Sequence, residues 1–412
     1  MKNEFVLCHY SEIALKGGNR NFFERQLIEN IKTQLEAFCP SSFEYVKKMS
    51  GGILIKLNEN GIENHALVHD ALMHTPGIAN FSFATNVEQN IETLKNFCWD
   101  LIKNQEFETF RVTTQRSNKN FPMTSEEINR EVGGYIYEKF RKSTKGGPAS
   151  GWKSVSMKNP DCECKIFILN EFALVSMEKI HGLGGMPVGT GNKAMAMLSG
   201  GFDSPVAAFQ ILRRGVQLRY AHFHSAPYTS KASIEKVVAL SQELKKFGSS
   251  TKLYLIPFAD VQKEIMMKTP ERFRVILYRR MMLRIAEVLA KKEKCLALIT
   301  GDSIGQVASQ TLENILAVSE AATLPIFRPL IGEDKEDIMQ KAKTIGTYDI
   351  SIQPHDDCCT RLMPKKPETR AKLWEVLEAE KELDIQSLIM MALEKTELKK
   401  IPKEPCIACD PI

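Results

Sequence analysis

The sequence predicts an α/β protein: a small ferredoxin-like α+β module, a second mixed region, and a doubly wound parallel sheet. Three observations predict it. A strand–helix–strand pattern fills residues 1 to about 62. From Asn192 onward, short apolar strands alternate with helices, the βαβα rhythm of an open parallel sheet. Between these parts, Gly182-Leu-Gly-Gly-Met-Pro-Val-Gly-Thr-Gly191 lacks any periodicity and reads as a linker.

In the first region (1–62) a strand at Glu4–Cys8 leads through a Gly17-Gly18 turn into a helix at Asn21–Phe38. Gly52–Leu57 then alternates with period two, as a half-buried strand does. A β-α-β unit of this size fits a ferredoxin-like module. The second region (63–179) reads as a helix at Ile62–Met73, a strand at Ala79–Thr85, a helix at Ile91–Lys103 and a strand at Thr109–Thr114. A helix at Ser125–Arg141 follows, opened by a capping-box pattern with Thr124 or Ser125 before Glu127 or Ile128. Lys145–Pro148 is a loop, and Lys165–Leu169 with Ala173–Ser176 reads as a hairpin. After the linker (180–191), the third region (192–395) carries strands at Ala194–Leu198, Gln217–His222, Thr251–Ile256 and Leu296–Thr300. Helices at 233–247 and 271–291 lie among them, and residues 396–412 form a polar tail.

At 412 residues the chain is long enough for two or three domains, and 43% hydrophobic with 25% charged residues is the balance of a soluble globular protein. No uncharged apolar run reaches eighteen residues, so no membrane span is expected. Glu4, His9 and Glu12 interrupt the N-terminus, which therefore lacks a secretory h-region; a cytoplasmic location is the expectation. The ten cysteines then belong to a reducing compartment, where Cys8, Cys39, Cys98 and Cys295 read as small core residues. Net charge is only +5, yet Thr109–Lys158 holds ten Lys/Arg against four Glu. So concentrated a basic segment suggests a polyanionic partner.

The chemistry concentrates at Ser199-Gly-Gly-Phe-Asp-Ser204, which follows an apolar strand and opens a helix. Gly200 and Gly201 let the backbone turn sharply and aim unhindered amides at one point. That point is a helix N-terminus, where free amides and the dipole favour an anion. Ser199 and Ser204 add hydroxyls, and Pro205 suits the first helical turn. No Gly-Lys-Ser/Thr is present, so this is not a Walker loop. It resembles instead the pyrophosphate-binding PP-loop of ATP pyrophosphatases, with Asp203 placed to hold Mg²⁺ against the phosphates. Such enzymes release pyrophosphate and transfer the adenylyl group, which turns a poorly leaving oxygen into a phosphate-type leaving group that a nucleophile can displace.

With the loop in place, the chain resembles the tRNA 4-thiouridine synthetase (ThiI) family nearly end to end. Ser11-Glu-Ile-Ala-Leu-Lys-Gly-Gly-Asn-Arg20 is similar to its N-terminal signature. Arg111–Arg116 with Lys119, and Glu127–Gly133, resemble its THUMP RNA-binding domain. Gly184–Gly189, Ser199–Ser204, Gly301–Thr311 and Arg328–Lys335 complete the likeness. The resemblance implies sulfur insertion at uridine 8 of tRNA, using ATP, Mg²⁺ and a cysteine desulfurase as persulfide donor. It assigns Met197 and Leu198 to the adenine wall, and His222, Phe223, Arg279, Gly301 and Gln310 to the nucleotide. Lys335, twenty-three residues before Cys358, matches a catalytic lysine of the family. Arg111, Arg116, Lys119 and Arg141 are the candidate tRNA contacts.

His355-Asp-Asp-Cys-Cys-Thr360 matches the family's persulfide-bearing cysteine, with Cys358 favoured by position. Arg361, Lys365 and Lys366 would lower its pKa, while Asp356 and Asp357 oppose. The best-known members carry a C-terminal rhodanese domain with a second, resolving cysteine. Here 54 residues follow Cys358, too few for one, and they end in Cys406-Ile-Ala-Cys409. Two readings stay open. Either Cys359, Cys406 or Cys409 resolves the persulfide, with a tail thiol preferred because adjacent cysteines form a strained disulfide. Or Cys358, Cys406 and Cys409 hold an iron–sulfur cluster, the less favoured reading.

An amide ligase of the GMP- or NAD-synthetase type would share the loop but needs neither the basic segment nor the Cys358 motif. A non-catalytic tRNA binder would carry a degenerate loop, and this one is complete. A role as sulfur donor to thiamine thiazole synthesis, through a sulfur carrier protein, is the further alternative, and a homodimer is compatible with the sequence.

Overall fold

The computed structural model describes residues 3–143, 153–226, 232–249, 252–354, 364 and 366–401. It forms two compact units, Met1–Gly184 and Gly185–Ile412.

The first unit is built on a nine-stranded sheet. Strand β1 (Phe5–His9), almost wholly buried, lies between β3 (Gly52–Leu57) and β4 (Asn80–Val87), antiparallel to both. Helix α1 (Arg20–Phe38) covers it with Leu27, Ile31 and Leu35, spaced to one face. Strand β2 (Phe43–Met49) adds an edge that the sequence reading does not anticipate. Only Val46 of it is buried, so its pattern carries almost no hydrophobic signal. The expected helix over Ile62–Met73 is two helices, α2 (Glu59–Glu63) and α3 (His65–Met73), broken at Asn64. There φ and ψ leave the helical range, and the side chain donates to the carbonyl of Asn60 at 2.9 Å.

Strand β4 carries the sheet onward to four more strands: β5 (Thr109–Arg116), β6 (Ser154–Val155), β7 (Cys162–Ile168) and β8 (Ala173–Ser176), in the order β4-β8-β7-β5-β6. Strand β9 (Ile180–His181) pairs β4 as well. Helices α4 (Ile91–Ile102) and α5 (Ser125–Ser143) pack over this half, burying Leu94, Cys98, Ile128, Val132 and Ile136. The capping box resolves to Thr124 and Glu127: the Thr124 amide donates to the carboxylate at 2.7 Å, and the Glu127 amide to the hydroxyl at 3.3 Å.

In the second unit β10 (Lys193–Met197), β11 (Gln217–His224), β12 (Lys252–Pro257), β13 (Leu298–Ile299) and β14 (Ile326–Phe327) run parallel, in the order β14-β13-β10-β11-β12. Strand β15 (Glu397–Lys400) closes the β12 edge antiparallel, where a bare tail is expected. All four of its side chains are exposed, so it shows no apolar alternation from which to read it. The connecting helices are α6 (Asp203–Leu212), α7 (Ala232–Lys245), α8 (Ala259–Lys268) and α9 (Arg274–Lys292). Five more follow: α10 (Leu312–Ser319), α11 (Lys335–Thr344), α12 (Tyr348–Ser351), α13 (Leu373–Glu380) and α14 (Ile385–Glu394). Helix α9 is apolar on most of its circumference and is the centre of the core. Its Arg280, fully buried, is held by Glu380 through Nε at 3.0 Å and Nη2 at 2.7 Å.

Strand order reverses beside β10, whose neighbours are β11 on one side and β13 on the other. In an open parallel sheet such a switch leaves a crevice at the carboxyl ends of the strands.

Candidate nucleotide site

The crevice is occupied by a cavity of about 330 Å³. Met197, Leu198 and Ser199 line it from the end of β10, and His222 and Phe223 from the end of β11. Arg279, from α9, and Gln310, after β13, form the facing wall. The structure therefore brings together seven of the positions expected at the nucleotide. His222 Nδ1 donates to the Leu198 carbonyl at 2.9 Å, which fixes the ring against the β10 terminus.

The glycine loop turns back on itself before α6. The Ser199 amide donates to Ser204 Oγ at 2.9 Å, and the two hydroxyls lie 3.1 Å apart. Gly301 backs this turn: a Cβ there would meet Asp203 C and Ser204 N, each at 2.8 Å. Gly301 thus lets β13 approach the helix N-terminus, and it is absent from the cavity wall. Burial raises the pKa of Asp203, and Asp302 adds to the rise, against Gln306 and Lys335. Gln306 reaches both its oxygens only at 3.5 Å, and among the described residues Asp203 makes no ion pair. A half-buried carboxylate at an anion-binding loop, lacking a cation, fits a hydrated Mg²⁺. Lys335 opens α11, its Nζ 5.9 Å from the centre of the Phe202 ring, beside the loop.

The residue that sequence reasoning passes over is Asp302, within the Gly301–Thr311 signature. Its carboxylate takes Thr300 Oγ1 at 2.8 Å, Arg328 Nε at 3.1 Å, Gln310 Nε2 at 3.4 Å, and Nη2 of Arg279. Burial alone would raise its pKa, but Arg279, Thr300 and Arg328 hold it below the ordinary aspartate value. Arg279 Nη1 is also fixed by the Ser309 carbonyl, at 3.1 Å. Ser233, Ile276 and Met282 also line it, as ordinary helix residues that carry no motif, and Val307 lies in the Gly301–Thr311 signature. Among the described residues, the buried Gln310 Oε1 and Ser233 Oγ find no hydrogen-bond partner.

Cys358, Cys359, Cys406 and Cys409 lie outside the described residues. Among the described residues no three His, Cys, Asp or Glu side chains converge as metal ligands, and no helix is long and apolar enough to cross a membrane. The four basic candidates sit in the first unit. Arg111 is bound by Glu163, through Nη2 at 2.6 Å and Nε at 3.2 Å, and by the Met157 carbonyl. Arg116 donates to the carbonyls of Phe121 and Met123. Lys119 and Arg141 are exposed.

Comparison with known proteins matches residues 189–385 to the family described as thiamine biosynthesis protein (ThiI), 5–82 to the ThiI ferredoxin-like domain and 84–178 to the THUMP domain. A "Probable tRNA sulfurtransferase" of Thermus thermophilus is 41% identical over 413 residues, spanning 98% of this chain and 97% of the relative. One from a Thermoanaerobacter species is 42% identical over 386 residues, 94% and 97% of the two chains. A crystal structure of a 4-thiouridine synthetase–RNA complex with bound ATP is 35% identical, with a TM-score of 0.83 over 97% of this chain and 99% of that one. The chain belongs to the ThiI family of tRNA sulfurtransferases.

Proposed function

We propose that this protein is an ATP-dependent tRNA sulfurtransferase that adenylates uridine 8 of tRNA and replaces its O4 with sulfur carried on Cys358, making 4-thiouridine. The observation that carries the reading is the cavity at the β10 switch point. It is apolar where Met197, Leu198 and Phe223 face a base, cationic at Arg279, and continuous at Ser199 with a loop of amides. The solved relative with ATP and RNA bound supports the same use here.

ATP would sit with its adenine against Met197 and Leu198 and its phosphates on the Ser199–Ser204 loop. Uridine O4 attacks the α-phosphorus, the Pα–O bond to the β-phosphate breaks, and pyrophosphate leaves on the amides of Gly200 and Gly201. Mg²⁺, held at Asp203 through the phosphates, would offset charge on that leaving group. Lys335 stands beside the loop as a cation for the charge that develops on the adenylate. The terminal sulfur of a Cys358 persulfide, loaded by a cysteine desulfurase, then adds to C4 of the ring. The C4–O bond breaks and AMP departs with its electron pair. A second thiolate attacks the Cys358 sulfur and cleaves the S–S bond, leaving the thiocarbonyl on RNA and a disulfide on protein, which external thiol reduces. Cys359, Cys406 and Cys409 are the candidates for that thiolate.

Residues 192–395 are on this reading the catalytic domain, and 1–179 serve the RNA, in the cytoplasm. Incubating protein, ATP, unmodified transcript and a persulfide donor tests it. Pyrophosphate, AMP and a 4-thiouridine mass shift are expected together; formation of ADP instead would falsify the reading.

A further inference from the structure

Helix α7 connects the nucleotide cavity to the chain that precedes Cys358. At its N-terminus Ser233 lines the cavity, and one turn on, Lys236 lies on the same face, only 5% exposed. Lys236 Nζ donates to the Ser351 carbonyl at 2.6 Å and the Gln353 carbonyl at 2.7 Å. The first belongs to the last residue of α12, where helical carbonyls lose their internal partners, and the second lies two residues beyond it. The stem is otherwise closed by its own turns: the Ser351 amide on the Thr347 carbonyl and the Ile352 amide on that of Tyr348, each at 3.0 Å. Burying an ammonium is costly unless it is hydrogen-bonded, and these two carbonyls answer it. Gln353 stands five residues before Cys358. Five extended residues reach about 17 Å, so a fixed Gln353 bounds where the thiol can go.

We infer that Lys236 is a positioning residue for sulfur transfer: by pinning the Ser351–Gln353 stem to α7, it sets the reach of the Cys358 thiol relative to the nucleotide cavity. The inference rests on Cys358 as the sulfur carrier. Freeing the stem lengthens the tether and dilutes the thiol at the adenylate, without touching the groups that make the adenylate.

The test compares full-length wild type, Lys236→Met, Lys236→Arg and Cys358→Ser, scoring pyrophosphate release, 4-thiouridine by mass spectrometry, and thermal melting. Lys236→Met is expected to lose roughly 10- to 100-fold in sulfur insertion while pyrophosphate release changes by less than about twofold. Lys236→Arg, which keeps a cation, recovers part of the loss. Insertion of two glycines between Gln353 and Pro354, with Lys236 intact, should give the same split and decides the matter if Lys236→Met fails to fold. Wild-type sulfur insertion in both altered proteins, or a parallel fall of both activities, overturns the inference. Wild-type sulfur insertion by Cys358→Ser removes the carrier reading itself, whatever Lys236 does.

Discussion

Asp302 lies behind Arg279 in the cavity wall, one carboxylate oxygen on the Arg279 guanidinium and the other on Arg328 Nε at 3.1 Å. The side chain of Asp302 is 5% exposed, against 19% for Arg279 and 13% for Arg328. One buried anion thus fixes the cation that faces the cavity, and Gln310 beside it. Asp302→Asn keeps the shape and removes the charge. Stranding two partly buried arginines is expected to cost about 3 kcal/mol of stability. It should also weaken ATP binding by roughly tenfold or more, since Arg279 loses its orientation. Chemical denaturation and equilibrium dialysis with ATP read the two effects separately.

Gly301→Ala should separate loop geometry from fold. The added Cβ falls 2.8 Å from main-chain atoms of Asp203 and Ser204, which cannot swing aside as a flexible side chain can. Either β13 or the start of α6 must move, at a cost of about 1–3 kcal/mol. Pyrophosphate release should collapse in protein that still melts cooperatively; unchanged turnover would show that the loop does not bear on Gly301.

How much of this was legible beforehand follows from where signals reside. The loop, its strand and its helix were readable because Gly200 and Gly201 break two regular patterns at one point. The wall residues Met197, Leu198, His222 and Phe223 came from resemblance, since an apolar strand end looks the same whether it meets a base or a core. Asp302 stayed hidden because its role lies in partners 23 and 26 residues away, which only folding brings together. Strands β2 and β15 escaped for the opposite reason: exposed edges carry little apolar alternation. Helices α10 to α14 run to ten residues at most, too short for an apolar stripe to repeat clearly.

Glu380 gives a pH signature. Burial would raise its pKa, but hydrogen bonds from Arg284 and Arg280 and their charges bring it down to about 2, from 4.5. A folded-state pKa below the unfolded one means stability that is complete above about pH 4.5 and lost as pH falls toward 2. Glu380→Gln should therefore be least stable relative to wild type near neutrality, by about 3 kcal/mol, because Arg280 stays buried with only Glu320, at 2.7 Å, as its counter-charge. The gap should close between pH 4.5 and 2. Urea midpoints across that range measure it, and a constant gap would place the stabilisation elsewhere.

The tail thiols are open to a geometric test. Strand β15 runs antiparallel to β12, pairing Lys400 with Lys252 at the amino end of β12, so the chain leaves the sheet on the side away from the cavity. Crossing back along six residues of β12 takes about 20 Å, whereas the five residues from 402 to Cys406 span at most about 17 Å. Cys406 therefore falls short of that span within one chain, whereas Cys409, eight residues past Ile401, has a reach of about 27 Å. Cys406→Ser is expected to keep near wild-type sulfur insertion under external thiol, with Cys359→Ser or Cys409→Ser the more damaging change. Loss of multiple turnover in Cys406→Ser alone would restore that thiol to the cycle.

The basic segment of the first unit divides by partner. Arg111 is neutralised by Glu163, which Thr113 Oγ1 also contacts at 2.7 Å, and Arg116 is spent on two carbonyls. Lys119 and Arg141 are exposed, Arg141 with Glu138 at 3.5 Å, and at the surface counterion release rewards a phosphate contact. Lys119→Glu and Arg141→Glu should each weaken tRNA binding and lower the slope of log affinity on log salt by about one. Arg111→Ala should instead act first on stability, by about 1–3 kcal/mol, because a half-buried carboxylate loses its two guanidinium donors and keeps only Thr113 and Lys165. Filter binding from low to moderate salt, set beside melting curves, separates the pairs. If Arg111→Ala weakens RNA binding without loss of stability, the Glu163 pair opens on the nucleic acid and the division drawn here is wrong.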